Sequence, residues 1–187
     1  MNEDKELIKK TLGGEKKAFE MIIQKYQTPL FNYIARMVGD RELALDFTQE
    51  VFVRTYTSLK SYDPQYKFST WLYKIASNHI IDFWRKKKIT AISIDQKSFS
   101  DNKSLTLQIP SDEPSIVKKF EISELKDKIE TLLEKIPLAL RELFIWRHVN
   151  EFSYEEIAEI KGMPVGTIKN RVFQAKEKIR NLLEETS

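Results

Sequence analysis

Residues 67–88 read KFSTWLYKIASNHIIDFWRKKK, and this stretch decides both the fold and the function that the chain supports. Its apolar side chains recur at helical spacing and predict a buried stripe: Phe68, Leu72, Ile75, Ala76, His79 and Phe83. A second face is polar and basic: Lys74, Asn78, Ile81, Arg85 and Lys88, with Trp71 near its start. Ser69 is the expected N-cap of this helix, because its hydroxyl can accept from a free backbone N–H of the first turn.

The same stretch allows two interpretations. Cations hold phosphates, and flat aromatic rings stack on bases that have left a duplex, so a helix with both can hold a melted strand. The alternative is an amphipathic core helix whose basic end is solvated. The stretch by itself favours neither interpretation.

Composition limits the class of protein. The chain has 187 residues, is 41% hydrophobic and 32% charged, and carries a net charge of only +3, so nucleic-acid affinity must come from local patches. The absence of cysteine excludes disulfides, thiolate catalysis and cysteine-bound zinc. The charged start and the lack of a long apolar run predict a cytoplasmic protein. With few glycines and prolines and long helical patterns, the chain is expected to be all-α.

The N-terminal part predicts three helices before residue 60. The first covers Asp4 to Leu12 and ends at two glycines. The second runs from about Phe19 to Met37, and Pro29 inside it predicts a kink or a split. The third covers Arg41 to Leu59. Its inward-facing side chains are expected to be Ala44, Phe47 and Val51.

The third helix has a second face that could bind a partner. That face holds Asp46, Gln49, Glu50 and Val53, which are spaced at i, i+3, i+4 and i+7. An acidic and amide-bearing strip beside an apolar residue can dock a helix of another protein. Spacing alone, however, favours an ordinary solvated face.

Changes in composition predict where the chain divides. A polar loop before Lys67 carries two tyrosines, Tyr62 and Tyr66, with a turn signal at Asp63-Pro64. Residues 89–115 are rich in Ser, Asp, Asn and Lys and lack a helical period, which predicts a linker, partly mobile. We therefore expect two small helical domains at 1–90 and 116–187, joined by a flexible linker at 91–115.

The second domain contains a predicted helix-turn-helix. A stripe from Ile122 to Ile136 ends at Pro137, and the next helix is expected to bury its core positions: Leu140, Phe144 and Ile145. Ser153 and Glu156 have capping-box spacing, Gly162 suits a left-handed helix end, and Pro164 suits the following first turn. Two helices joined by such a short turn make the motif.

The last helix predicts sequence reading in the major groove. Its buried stripe is expected to be Val165, Ile168, Val172, Ala175, Ile179 and Leu182. Asn170, Phe173 and Gln174 then project outward with Lys169 and Arg171 beside them, and such amides, cations and rings can reach base edges. A purely structural helical hairpin is the less favoured alternative.

The motifs taken together resemble one family. They are DFTQEVF at 46–52, YDP at 62–64, KFSTWLYKIASN at 67–78, IDFWRKKK at 81–88, SYEEIA at 153–158 and PVGTIKNRVFQA at 164–175. In this order, across a linker of this length, the sequence resembles the extracytoplasmic-function (group 4, sigma-70 family) sigma factors of RNA polymerase. The resemblance extends from about Phe19 to Leu183.

The resemblance implies partners that spacing could not indicate. A protein of this family binds core RNA polymerase, including the clamp coiled coil of the β′ subunit and the flap of the β subunit, and directs it to promoter DNA. An anti-sigma factor is a further expected partner. Residues expected at the polymerase surface are Asp46, Gln49, Glu50, Phe52, Val53 and Arg54.

The resemblance also implies two DNA-binding sites. Capture and melting of the minus-ten element are expected from Tyr62, Lys67, Phe68, Trp71, Lys74, Asn78, Arg85, Lys86, Lys87 and Lys88. Recognition of the minus-thirty-five element is expected from Thr167, Lys169, Asn170, Arg171, Phe173 and Gln174. Many family members carry arginine where this chain has Gln174. Glutamine prefers adenine whereas arginine prefers guanine, so the outer bases read here are expected to differ.

Two other classes of protein were weighed. A helix-turn-helix regulator would need a ligand pocket, a phosphoacceptor or a dimer seam in its N-terminal domain, and this domain instead offers an aromatic and basic face. An enzyme would need a reactive constellation, but the chain has only two histidines, His79 on an apolar stripe and His148 without a motif. His79 and Asp82 could share a metal only with further ligands. No catalytic residue, cofactor or metal site is expected.

Overall fold

The computed structural model describes residues 2–93 and 129–185, and all regular structure in these ranges is helical. The N-terminal group contains α1 (Asn2–Leu12), α2 (Lys16–Val38), α3 (Arg41–Ser58), a 3-10 turn (Leu59–Ser61) and α4 (Phe68–Ser93). The C-terminal group contains helical residues 129–135, α5 (Leu138–His148), α6 (Tyr154–Lys161) and α7 (Val165–Glu185). The all-α prediction is confirmed.

Local sequence signals end α2 and start α3. Gly39 adopts φ 72°, a left-handed conformation that glycine reaches without steric cost, and its N–H donates to the Ala35 carbonyl at 2.9 Å. The next residue, Asp40, caps α3 by accepting from the Leu43 N–H at 2.9 Å. The predicted ends of these two helices are therefore confirmed to within a residue.

Pro29 neither splits nor ends α2, which is continuous from Lys16 to Val38. Proline removes one backbone hydrogen bond, but Pro29 lies on the exposed side of the helix, where water can satisfy the freed carbonyl. Ile22 and Leu30, on either side of it, are fully buried, so packing maintains the helix across the proline.

Helix α4 is longer than its sequence predicted. It begins at Phe68, so the N-cap position falls at Lys67 and the predicted N-cap, Ser69, lies two positions later in the first turn. It continues to Ser93, so the first residues of the predicted linker are helical; the rest of that linker lies outside the described residues.

The buried side of α4 is also wider than predicted. Phe68, Leu72, Ala76 and Ile80 are buried, while the predicted core residues Ile75, His79 and Phe83 are half-buried. Tyr73 and Ser77 are buried as well, because α6 of the C-terminal group packs on the other side of α4. The burial of two sides explains why a single stripe did not describe this helix.

Contact between the groups also changes the buried face of α5. Leu143, Ile145 and Trp146 are fully buried, whereas the predicted core residues Leu140 and Phe144 are only half-buried. The Trp146 ring lies 5.8 Å from that of Tyr33 on α2, and Tyr33 in turn lies 5.2 Å from Tyr73 on α4. One face of α5 therefore completes a core that it shares with the N-terminal group.

A buried polar network accompanies this aromatic contact. Glu142 on α5 accepts a hydrogen bond from the Tyr33 hydroxyl at 2.6 Å and forms an ion pair with Lys161 of α6. Lys161 also donates to the Ser77 hydroxyl at 3.1 Å. At the edge, Arg36 pairs with Glu130 at 2.7 Å. A buried carboxylate requires such partners, so these contacts hold the two groups in one arrangement.

Candidate polymerase and nucleic-acid interfaces

The outer face of α3 presents the predicted polymerase-binding residues to solvent. Asp46, Gln49 and Glu50 are exposed, and Val53 has 58% of its surface accessible. Arg54 is exposed too, and its Nε donates to the Glu50 carboxylate at 2.8 Å. The folded chain leaves this mixed acidic and apolar strip available, although an exposed ion pair of this kind contributes little to stability.

A groove between α2 and α3 adjoins this strip, and the sequence did not indicate it. It encloses about 320 Å³ and is lined by Ile23, Gln27, Thr28, Phe31, Leu45, Thr48, Gln49 and Phe52. Phe52 is only 6% exposed, so it forms the floor of the groove instead of projecting from the helix. Leu45, which is 46% exposed at the rim, is the apolar residue that sequence reasoning missed.

The loop before α4 is held in shape by its tyrosines. The Tyr62 hydroxyl donates to the Tyr66 carbonyl at 2.6 Å, and the Asp63 carboxylate accepts from the Gln65 N–H at 2.9 Å. The Tyr62 ring packs 5.4 Å from Trp71 and 5.7 Å from Phe68. Tyr62 is thus buried support for the loop, whereas Tyr66 is 48% exposed.

Phe68 is a support residue as well. Its side chain is 2% exposed and packs against Tyr26 of α2 with ring centroids 5.5 Å apart. We had expected Phe68 to contact DNA; in this arrangement its ring has no free face for a base. Trp71, which is half-buried above it, keeps part of its surface accessible.

A cavity of about 310 Å³ opens beside this aromatic cluster. Its lining combines the loop, the start of α4 and, unexpectedly, two residues of α1: Asp4, Lys5, Tyr62, Tyr66, Lys67, Phe68 and Ser69. The contribution of α1 has no signal in the sequence, because these residues are about sixty positions away along the chain. Tertiary packing alone brings them together.

The basic side of α4 is exposed over most of its length. Lys74, Asn78 and the four cations of residues 85–88 all lie at the surface. Near the end, Arg85 donates to Asp82 at 2.9 Å, and the Lys87 ammonium lies 5.1 Å from the Trp84 ring centroid. The aromatic and basic face that the sequence predicted therefore exists as a continuous surface.

Lys67, at one end of this surface, is paired with the C-terminal group. Its Nζ lies 2.7 Å from Oε1 of Glu156 on α6. Burial pushes the pKa of Glu156 upward, but hydrogen bonds from Lys67 and Ser153 outweigh it and hold the pKa below its usual value. In this arrangement a carboxylate occupies the position at Lys67 that a phosphate would take.

Each of the two histidine rings packs against a phenylalanine. The His79 ring packs edge-on against Phe47 at 4.3 Å, and burial lowers its pKa. His148 lies 4.6 Å from Phe144. Among the described residues, no group of three or more His, Cys, Asp or Glu side chains is placed to hold a metal ion.

The helix-turn-helix forms as its capping signals predict. The Ser153 hydroxyl accepts from the Glu156 N–H at 3.1 Å, and the Glu156 carboxylate accepts from the Ser153 N–H at 2.8 Å. Gly162 ends α6 with φ 61°. The Pro164 carbonyl then accepts from Thr167 at 2.9 Å, so the proline immediately precedes α7.

Helix α7 has a buried stripe on one side and an exposed, mostly polar face on the other. Ile168, Val172, Ala175 and Ile179 are buried, as predicted, with Val165 and Leu182 half-buried. On the other side Lys169, Asn170 and Gln174 are exposed and Phe173 is 60% exposed. Thr167 and Arg171 lie half-buried at the flanks. The Phe173 ring is therefore accessible from outside the chain.

Two cations border this face on its α6 side. The Lys169 ammonium lies 5.6 Å from the Tyr154 ring centroid, and Nη1 of Arg171 lies 3.5 Å from the Met163 sulfur. Both cations therefore lie beside the exposed face of α7. Within residues 2–93 and 129–185, no helix is both long and apolar enough to cross a membrane.

Comparison with known families matches both groups. The Sigma-70 region 2 family model matches residues 22–89, and the Sigma-70 region 4 model matches residues 126–179. A solved structure of CnrH in complex with the cytosolic domain of CnrY has a similar fold, with a TM-score of 0.72 and 20% identity over 99% of each chain. The sigma factor RpoE of Bartonella quintana, solved with the anti-sigma factor NepR, has a TM-score of 0.69 and 21% identity over 90% of this chain and 98% of its own.

Full-length relatives make the assignment specific. The chain is 34% identical to the ECF RNA polymerase sigma factor SigW of Bacillus subtilis over 97% of both proteins. It is 30% identical to the ECF RNA polymerase sigma-E factor of Escherichia coli K12, over 97% of this chain and 94% of that protein. These alignments run through both helical groups and the segment between them, so the chain belongs to the ECF RNA polymerase sigma factors.

Proposed function

We propose that this sigma factor binds core RNA polymerase through the exposed face of α3 and opens promoters with the loop and basic face of α4. It then reads the upstream element with α7. The observation that carries the proposal is the separation of buried and exposed side chains: the aromatic, amide and cationic residues at issue lie on open faces of helices whose other faces are buried. In this proposal the chain itself catalyses no reaction, because catalysis belongs to core polymerase. The complex acts in the cytoplasm.

The direct test is transcription in vitro. Purified chain, core polymerase and a promoter fragment should together yield a transcript from one start site, and omission of the chain should abolish it. A helix-turn-helix regulator would instead bind the fragment alone and leave core polymerase unrecruited. That result would contradict the proposal.

Strand capture is proposed for the cavity lined by Tyr62, Tyr66 and Phe68 and for the exposed face of α4 that carries Asn78. Trp71 keeps accessible ring surface, the cations of residues 85–88 can hold the adjacent phosphates, and Lys67 can exchange Glu156 for a phosphate. Phe68 and Tyr62 shape the site from beneath, because both are buried.

Replacing Trp71 by alanine is expected to impair opening more than recruitment. Loss of one stacking contact is worth roughly 1–3 kcal/mol, so permanganate reactivity of the melted strand should fall about tenfold. Promoter binding by the holoenzyme, measured in parallel at a temperature that keeps the duplex closed, should change much less. Asn78→Ala should act in the same direction.

Phe173→Ala is the complementary control, because the Phe173 ring lies on α7 and not in the proposed strand-capture site on α4. It should weaken recruitment and leave opening unchanged once the complex has formed. Circular dichroism should show native helicity for all three variants. If Trp71→Ala unfolds the chain, or reduces recruitment and opening equally, the ring acts as core and strand capture by Trp71 is wrong.

Base reading is proposed for the N-terminal half of α7. A specific base contact is worth roughly 1–3 kcal/mol, so Asn170→Ala should relax discrimination at particular bases. Arg171→Ala should weaken binding to all sequences alike and lower its salt dependence, because a phosphate contact carries no sequence information. Gln174→Arg should shift preference toward guanine.

A promoter library selected with wild type and each variant checks these three outcomes together. Lys178→Ala is the matched control, since this exposed cation lies one turn beyond Gln174 on the same helix, C-terminal to the residues proposed to read bases. It should leave every base preference intact. Identical preferences for wild type, Asn170→Ala and Gln174→Arg would show that α7 does not read sequence.

An inhibitory protein partner is also proposed. The two solved structures with similar folds are complexes with other proteins, and one of those is an anti-sigma factor. The apolar groove beside Leu45 and the exposed Val53 provide contact surface on the polymerase-binding side of this chain. A partner that covers them would compete with core polymerase.

A further inference from the structure

We propose that Asp4 of α1 is a specificity-determining residue, which accepts a hydrogen bond from the exocyclic amino group of a base captured in the cavity beside Tyr66. The inference rests on the proposed strand capture and extends it to the choice of base. Asp4 and Lys5 line this cavity although they lie outside residues 22–89, which match the Sigma-70 region 2 family model.

The cavity suits a single base. Its volume of about 310 Å³ is at the lower end of small-molecule pockets, which enclose roughly 300–1,000 Å³. Tyr66 at its edge is 48% exposed and offers a ring face, and Lys5, Lys67 and Ser69 offer donors around it. A flat heterocycle can stack on the ring while these groups reach its polar edge.

Asp4 is positioned rigidly in the wall of this cavity. Its Oδ2 accepts from the Tyr26 hydroxyl at 2.7 Å, and its Oδ1 accepts from the Lys25 ammonium at 2.6 Å. Tyr26 in turn packs on Phe68, 5.5 Å between ring centroids, so the carboxylate is tied to the same aromatic cluster that shapes the loop. A side chain held from two directions is preorganised for recognition.

The Asp4 carboxylate retains capacity for a ligand. Two oxygens provide about four acceptor positions, and the contacts to Lys25 and Tyr26 use one on each oxygen. The side chain is still 15% exposed. An acidic acceptor can accept from the exocyclic amino group of an unpaired cytosine, adenine or guanine, whereas thymine has no such group. The captured base is therefore one that carries an exocyclic amino group.

The experiment measures base preference with the holoenzyme. Promoters carrying each of the four bases at every position of the melted strand are transcribed by wild type, Asp4→Asn and Glu6→Gln. Wild type should prefer a base with an exocyclic amino group over thymine at one position by about tenfold, and Asp4→Asn should lose that preference there alone. Glu6→Gln is the matched control: it removes an exposed carboxylate of α1 that does not line the cavity, so the preference should remain.

A base analogue keeps the inference falsifiable if Asp4→Asn does not fold. At the sensitive position, cytosine is replaced by a pyrimidinone that lacks the amino group, and wild-type holoenzyme should lose about tenfold in transcription. Unchanged transcription from this analogue overturns the role of Asp4, as does an equal loss of preference in Asp4→Asn and Glu6→Gln.

Permanganate mapping separates this inference from the proposed function. If wild type neither melts nor captures the strand, both the proposed function and the role of Asp4 are wrong. If the strand is captured but wild type and Asp4→Asn show the same base preference, only the role of Asp4 is wrong. Strand capture by α4 then stands.

Discussion

Replacing Lys161 by methionine is expected to separate the two helical groups. Glu142, whose side chain is 3% exposed, would keep the Tyr33 hydroxyl as a donor but lose its only cationic partner among the described residues. Removing one member of a buried ion pair costs about 3–5 kcal/mol, because the remaining charge stays buried and uncompensated. Opening the contact hydrates that carboxylate. Small-angle X-ray scattering should therefore report a larger radius of gyration for Lys161→Met than for wild type.

A second substitution distinguishes this mechanism from a loss of packing. Glu142→Gln combined with Lys161→Met leaves no buried charge, and the amide oxygen can still accept from Tyr33. This double variant should return most of the way to the compact form. Arg180→Met is the control, since it removes exposed ion pairs on α7 and should change nothing measurable. A Lys161→Met scattering profile identical to that of wild type would contradict the prediction.

Reversing the charges at Asp46 and Glu50 to lysine is expected to abolish most binding to core polymerase. Both carboxylates are exposed on α3. The substituted lysines would face the cations of the partner surface that the carboxylates pair with, and such like-charge contacts cost several kcal/mol. We expect the affinity for core polymerase to fall about 100-fold, equivalent to ~3 kcal/mol. Competition binding against a labelled sigma factor at fixed salt measures this effect.

The control for this reversal must change the net charge by the same amount and break a comparable ion pair. Glu6→Lys with Glu20→Lys changes net charge by the same amount on α1 and α2. It also breaks an i,i+4 pair, Glu6 with Lys10, just as the test variant breaks Glu50 with Arg54. The control should bind core polymerase normally. If both double variants lose affinity equally, or neither does, α3 is not the specific docking face.

Helix existence and capping could be predicted because they depend on neighbours in the sequence. The capping box of Ser153 and Glu156 and the left-handed ends at Gly39 and Gly162 require only residues within a few positions of one another. The stripe of α7 was predicted for the same reason, since this helix buries one face against the neighbouring helices of its own group. The exposure of Phe173 followed from that stripe.

Predictions of burial failed where two faces of a helix are covered. On α4 the second covered face comes from α6. On α5 the buried Trp146 packs against Tyr33 of α2. Periodicity can identify one apolar side, but it does not reveal a partner from a distant part of the chain. Phe68 is a different case: periodicity placed it in the buried stripe, where it lies, whereas the DNA contact that the resemblance implied does not fit a side chain that is 2% exposed.

The sequence by itself determined the helices, their caps, the helix-turn-helix and the motifs that place the chain among ECF sigma factors, because these properties depend on local order. Tertiary structure alone decided which motif residues face solvent, that Lys67 meets Glu156, and that Glu142 is buried among Tyr33 and Lys161. It also brought Asp4 into the cavity of the α4 loop. Apart from the pair of Glu142 and Lys161, these contacts join residues about sixty or more positions apart. Their free energy comes from burial and charge pairing that no local pattern encodes.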